Sequence, residues 1–179
     1  MDLKSLRKSI IQKRECLSFS QLKDTSDKIV KTLFSLDGFV GFDSYFVYRS
    51  FRGEVDTGEI IKRLQSLDKT LVYPLTTQDE MFAVKNEGAE FVKDKFGVEI
   101  PSKYSIFDSP DVVIVPLVAC DENLNRVGFG KGYYDKFLKG KNCLKIGICH
   151  DFQVVEKIEP NEWDIPLDII ITEKRIIRR

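Results

Sequence analysis

Apolar residues recur at helical spacing from the first turn of the chain. Leu3, Leu6 and Ile10 share one face up to about Arg14, with Lys4, Arg7 and Lys8 forming an adjoining basic stripe. A second amphipathic helix is predicted from Ser18 or Ser20, either able to cap it, through Leu22, Ile29, Leu33 and Leu36 to a stop at Gly38. The period then changes. Tyr45-Phe46-Val47-Tyr48 is an aromatic and β-branched run expected of a buried strand, and Ile60, Ile61, Leu64 and Leu67 return to helical spacing over Thr57 to Leu67. Leu71-Val72-Tyr73, after a turn at Asp68-Lys69 and ending at Pro74, reads as the next strand, so this unit predicts a parallel crossover.

Met81 to Val84 and the stretch around Phe91 to Ile100, punctuated by Gly88 and Gly97, read as hairpin-like pieces. Asp111-Val112-Val113-Ile114-Val115 is an unbroken apolar run of the kind covered on both faces, and Pro116 ends it. Tyr133 to Leu138 is expected to be a helix closed by Lys139-Gly140, followed by strands at Lys145 to Cys149 and Leu167 to Ile171. The basic end from Arg175 reads as a surface strand or tail. The succession predicts a three-layer α/β/α sandwich with a mostly parallel central sheet and two N-terminal helices, as one domain over residues 1–179.

Charge narrows the functional classes. Lys plus Arg and Asp plus Glu are equal at 28 each, which leaves no global excess of positive charge for nucleic acid or an anionic membrane. No apolar run approaches the roughly 18 residues of a membrane span, and the N-terminal segment lacks the apolar core of a secretory signal. A soluble, cytoplasmic and monomeric protein is expected. Cys16, Cys120, Cys143 and Cys149 show no C-x-x-C pairing and His150 is the single histidine, so the cysteines read as small buried apolar residues rather than zinc ligands.

The chemistry concentrates in Asn125-Arg126-Val127-Gly128-Phe129-Gly130-Lys131-Gly132-Tyr133-Tyr134-Asp135, between a strand and a helix. Alternating glycines let a loop curl its amides around an anion, the following helix N-terminus adds a favourable dipole, and Lys131 and Arg126 add full charges. It matches neither a P-loop nor a dinucleotide fingerprint, and a plain mobile turn is the competing reading. Asp135 is placed to hold Mg²⁺ beside phosphates, or simply faces a helix start; Asp164 and Asp168 carry the same two readings. In Tyr48-Arg-Ser-Phe-Arg-Gly-Glu54-Val-Asp-Thr57, Thr57 is expected to cap a helix, while Glu54 is either a ligand group or a solvated loop acid.

These motifs, in this order, resemble the 5-formyltetrahydrofolate cyclo-ligase family over nearly the whole chain. The similarity runs through Lys4-Ser-Leu-Arg7-Lys8, Ser50-Phe-Arg-Gly-Glu54-Val-Asp-Thr57, Val72-Tyr-Pro74, Asp111 to Pro116 with Ala119 and Asp121, Arg126 to Asp135, Gln153, Asp164-Ile-Pro-Leu-Asp168 and Thr172-Glu173. Leu117 and Cys120 stand where the family commonly has a glycine and an aromatic. The resemblance implies ATP contacts from Lys4, Ser5, Leu6, Arg7 and Lys8 and from Arg126, Val127, Gly128, Phe129, Gly130, Lys131, Gly132, Tyr133 and Tyr134. It implies folate contacts at Arg49, Glu54 and Phe129 to Tyr133, Mg²⁺ near Asp135 and Asp164, and charge stabilisation by Lys131 and Arg126. The expected substrates are 5-formyltetrahydrofolate and ATP. A non-catalytic binder of either ligand, and a sugar-phosphate isomerase or acyl-CoA transferase on a similar sandwich, are the competing classes.

Overall fold

The computed structural model describes residues 2–94 and 97–179. Helix α1, Leu3–Glu15, opens at Asp2, whose carboxylate accepts from the Lys4 and Ser5 N–H groups at 2.9 and 3.0 Å. Helix α2, Phe19–Phe34, is capped by Ser18, not Ser20. Ser18 Oγ accepts from Gln21 N–H at 3.2 Å while Gln21 Oε1 accepts from Ser18 N–H at 2.9 Å, satisfying two otherwise orphaned donors.

Strand β1, Ser44–Phe46, leads through α3, Gly58–Ser66, to β2, Thr70–Thr76, which pairs parallel to it as the crossover requires. Thr57 does not cap α3 through its side chain. Its Oγ1 donates to the Tyr48 carbonyl at 2.7 Å, tying the helix start to the loop after β1, and Asp56 Oδ1 takes the Gly58 N–H at 2.9 Å. Nor does β2 stop at Pro74. Val47 N–H donates to Val72 O at 2.9 Å, so the polar groups of Pro74, two residues on, face the same flank just past the end of β1, where a missing N–H costs no ladder bond.

Strands β3, Met81–Asn86, β4, Phe91–Lys93, β5, Glu99–Pro101, and β6, Tyr104–Ile106, follow as antiparallel pieces, β4 and β5 forming the expected hairpin. Positions 95 and 96 of that stretch lie outside the described residues. Strand β7, Val112–Val115, is succeeded by a small ribbon of β8, Ala119–Cys120, and β9, Arg126–Val127, and then by α4, Tyr133–Leu138. Strands β10, Leu144–Ile148, β11, Ile169–Ile171, and β12, Ile176–Arg178, complete the chain.

The main sheet has the order β12-β11-β10-β7-β1-β2-β3-β6, with β11, β10, β7, β1 and β2 mutually parallel and antiparallel strands at both edges. Alternate residues of the parallel strands feed two cores. Tyr45, Val112, Ile114 and Ile146 pack against Ile29, Leu33, Ile60 and Leu64 of α2 and α3. Phe46, Val113, Val115 and Ile170 pack against Phe137 and Leu138 of α4. This is the expected three-layer arrangement, with α1 set apart from both cores, its Leu6 packing on Ala119, Val127 and Ile158. Cys120 and Cys149 are buried as expected, whereas Cys16 is exposed at the end of α1. Among the described residues no helix is long and apolar enough to cross a membrane.

Candidate functional site

From β1 the chain crosses to β2 on one flank, while β7, on the other flank, continues to β10 and β11. Strand order therefore reverses between β1 and β7, and the crevice beyond their carboxyl ends is where open α/β sheets take ligands. A cavity of about 490 Å³ opens at that point. Its walls come from the loop after β1, the glycine loop after β9, the ends of β2 and β3, the Leu3 and Arg7 side of α1, and the segment from Ile158 to Asp164.

The glycine loop is delivered by a turn built on Asp121, which is fully buried. Its Oδ1 accepts from the Asn123 and Asn125 N–H groups, both at 3.0 Å, and its Oδ2 accepts from Asn125 Nδ2 at 3.1 Å and Ile158 N–H at 2.9 Å. Four donors around one carboxylate offset the cost of burying it. Past Arg126, Gly130 and Gly132 adopt φ of +99° and +65°, the left-handed region that a side chain would strain. Gly128 has no such need; its carbonyl accepts from Arg7 Nε at 2.8 Å, and the Arg7 guanidinium lies against Gly130. Helix α4 is only six residues long, so charge at this loop comes from side chains and loop amides, not from an extended helix dipole.

Arg126 and Lys131, expected to share one task, sit in different settings. The Arg126 side chain is 4% exposed, donates through Nη2 to Asp135 Oδ1 at 2.7 Å and through Nη1 to the Ile165 carbonyl, while Ile165 N–H donates to the same Asp135 oxygen at 3.0 Å. Arg126 is thus an anchor joining the glycine loop to the 161–166 segment. Lys131 is exposed on the cavity wall, 5.7 Å from the Tyr133 ring centre. Phe129 is 49% exposed beside it, and the Tyr133 hydroxyl donates to the Thr77 and Gln78 carbonyls at 3.0 and 3.2 Å. On α1, Lys4 and Lys8 are exposed and Ser5 Oγ donates to Asp2 at 2.6 Å. Val127 is buried under the loop.

Asp135 and Asp164 both border the cavity. The hydrogen bonds to Asp135 fall on Oδ1, and those to Asp164, from Asn161 N–H and Nδ2 at 2.8 and 3.2 Å, fall on Oδ2. Each carboxylate thereby has a second oxygen for a cation. Among the described residues no group of three or more His, Cys, Asp or Glu converges. Two carboxylates fit Mg²⁺, which draws its remaining ligands from phosphates and water. Asp168 is elsewhere: it accepts from Lys145 N–H at 2.8 Å and pairs with Lys145 Nζ at 2.9 Å at the opposite, amino-terminal edge of the sheet.

In the loop after β1, Glu54 is buried, not solvated. It is 8% exposed, and its Oε2 accepts from Phe51 N–H at 2.9 Å. Burial pushes this carboxyl up to about 7, against the opposing pull of Arg14 and the Phe51 N–H. The nearby Tyr134 hydroxyl is shut from solvent and has no hydrogen-bond partner among the described residues, and burial, with Glu54 adding to it, raises it well above the usual tyrosine range. Arg49 lines the same cavity, stacked 4.3 Å over Phe91 and paired to Glu99 at 2.5 Å.

The raised Glu54 carboxyl has a consequence for stability. Below the ordinary glutamate value of 4.5 it is protonated whether the chain is folded or unfolded. Between 4.5 and about 7 the unfolded chain ionises first, so stability falls as pH rises, and above about 7 the penalty is complete. The span corresponds to roughly 3 kcal/mol from this group. Urea unfolding across that range should show the downward slope flattened in Glu54→Gln, and an unchanged slope would refute the assignment.

One cavity residue, Trp163, and one buried residue behind the loop after β1, Arg14, escaped the sequence reading. Trp163 is 66% exposed on the cavity wall, and its signal in the sequence is a lone tryptophan beside Asp164. Arg14 is 1% exposed, and lies about two helical turns from Arg7 on the same face of α1.

Residues 2–173 match the sequence profile described as the 5-formyltetrahydrofolate cyclo-ligase family. The Escherichia coli K12 protein named 5-formyltetrahydrofolate cyclo-ligase is 30% identical over 93% of this chain and 98% of its own length. The NMR structure of the 5,10-methenyltetrahydrofolate synthetase of Aquifex aeolicus superimposes with a TM-score of 0.88 at 33% identity, covering 99% of this chain and 93% of that one. The Mycoplasma pneumoniae synthetase structure gives 0.80 at 29% identity, covering 97% and 99%. With sequence and fold agreeing from end to end, and no large segment of these relatives left unmatched, the chain belongs to the 5-formyltetrahydrofolate cyclo-ligase family.

Proposed function

We propose that this chain converts 5-formyltetrahydrofolate to 5,10-methenyltetrahydrofolate with ATP and Mg²⁺, releasing ADP and phosphate. The observation that carries the reading is one cavity at the sheet's switch point lined by two chemically distinct features: a cationic glycine loop backed by Arg7, and a buried carboxyl at Glu54.

A formamide carbonyl is a poor electrophile and its oxygen a poor leaving group. In the proposed sequence the formyl oxygen attacks the γ-phosphorus of ATP, the bond to ADP breaks, and the oxygen becomes a phosphate ester. N10 then attacks the activated carbon and gives up its proton, and the C–O bond breaks as phosphate departs with the former formyl oxygen. Atoms balance with no protein nucleophile.

The first step needs alignment and charge neutralisation more than covalent help. Lys131 supplies a positive charge that can follow the transferred group, and the left-handed backbone at Gly130 and Gly132 shapes the amides around it. Arg126 acts on the same charge from a fixed position and orients Asp135. Asp135 and Asp164 would hold Mg²⁺, which when bound draws negative charge from the phosphate oxygens. Glu54 binds the pterin head, and the exposed Phe129 ring offers it a flat apolar surface. The second step is intramolecular, so holding N10 against the carbon contributes up to roughly 7–11 kcal/mol.

The direct test is ADP formation by the purified chain with MgATP, with and without 5-formyltetrahydrofolate, followed in parallel with methenyl product. ADP and product should rise one for one and only together. Binding of both ligands without turnover would favour a non-catalytic relative, and turnover of another substrate without nucleotide would favour the isomerase or transferase class.

A further inference from the structure

We propose that Arg14 is the positioning residue through which Glu54 acts: its guanidinium, carried by the last turn of α1, clamps the loop after β1 and faces the Glu54 carboxylate with a fixed positive charge. The inference deepens the folate reading of the cavity and rests on it.

Arginine is rarely buried unless it is paired, yet Arg14 is 1% exposed on a helix otherwise rich in solvated lysine. Its Nε and Nη2 donate to the Arg52 carbonyl at 3.2 and 3.0 Å, and its Nη1 to the Leu117 carbonyl at 3.4 Å. One side chain therefore grips the segments that follow β1 and β7, the two strands at the switch point. Its Nη2 also stands 3.9 Å from Glu54 Oε1. Between these contacts, Gly53 lies directly on the Arg14 backbone: at φ +69°, a Cβ there would be 2.6 Å from the Arg14 carbonyl oxygen. His150 approaches the Gly53 carbonyl at 3.0 Å. The loop is held from two elements, and Glu54 is the next residue along it.

Carbonyls satisfy the Arg14 N–H groups but do not balance its charge. Arg52, on the same loop, turns out to Glu15 at 2.6 Å, and His150 is spent on Gly53. Tyr48 and Tyr134 face Glu54 as well, and burial holds both phenols protonated well above neutrality. Among the described groups facing Glu54, Arg14 is the cation that opposes the effect of burial on it. Removing that charge should leave Glu54 protonated at working pH even where the loop stays in place.

The experiment is the pH profile of kcat/KM for 5-formyltetrahydrofolate in the parent, Arg14→Met, Arg14→Lys and each combined with Glu54→Gln. The acid limb should move up by about one pH unit or more in Arg14→Met, as expected for loss of an opposite charge within reach of a carboxylate. It should return toward the parent in Arg14→Lys. In the Glu54→Gln background either Arg14 substitution should add less than about a threefold further loss, the mark of two residues acting as one. An unmoved limb with activity lowered evenly at every pH would overturn the proposal. So would a loss from Arg14→Lys that persists in full beside Glu54→Gln, which keeps the test decisive if Arg14→Met does not fold. A parent that makes no methenyltetrahydrofolate would refute the folate reading itself, and with it this inference; an active parent with an unmoved limb refutes Arg14 alone.

Discussion

Lys131→Ala should lower ATP-dependent phosphate release by about 10²–10³-fold, the usual effect of removing one preorganised group that stabilises transition-state charge. The melting temperature should scarcely change. Lys131 is exposed, and its loop takes its shape from left-handed backbone at Gly130 and Gly132 and from the Arg7 bond to Gly128, none of which involves the lysine side chain. Surface truncations of this kind fall within about ±0.5 kcal/mol. Phosphate release measured beside thermal unfolding separates the two effects, and release near the parent's rate would reject Lys131 as a charge stabiliser. The same truncation at Arg126 reads less cleanly, because it removes bonds to both Asp135 and the Ile165 carbonyl and leaves the Ile165 N–H alone to tie Asp135 to the 161–166 segment.

That contrast also marks what the sequence made legible. Apolar spacing located α1, α2, α3 and the unbroken run of β7, because burial on one or both faces writes itself directly into residue pattern. The glycine loop was visible as a motif, since few reasons exist for alternating glycines beside Lys131 and Asp135. What pattern could not supply was the partner of each polar group. Arg126 and Lys131 look equivalent in a string, and only the fold buries one against Asp135 and leaves the other exposed. Asp164 and Asp168 stand four positions apart, yet the chain runs back along the sheet between them, so they end at opposite edges of it. Arg14 marked only the end of the first helix in the pattern, because its acceptors at Arg52 and Leu117 are remote in sequence. Thr57 takes the expected N-cap position, but its hydroxyl goes to a carbonyl delivered by the preceding strand, again a partner that local pattern does not show.

Glu54→Gln should lower kcat/KM for 5-formyltetrahydrofolate by about 10–100-fold, from the loss of a charge-assisted hydrogen bond of roughly 1.5–3 kcal/mol. ATP affinity, measured by calorimetry in the absence of folate, should stay within about twofold, because the partners of Glu54 are the Phe51 N–H and Arg14, not the loop cation Lys131 or the carboxylate of Asp135. Equal losses for both ligands would contradict the division of the cavity. The substitution also separates chemistry from folding. In the parent, a carboxyl pushed up to about 7 makes the free protein less stable as it ionises, and in the proposed function the same ionised group binds the pterin. A site group that costs stability until its ligand arrives is what selection for binding leaves behind. Glu54→Gln should therefore flatten the stability slope between 4.5 and about 7 in the same sample that loses folate turnover, and either change without the other would mean that the buried carboxyl and the folate-binding carboxyl are different groups.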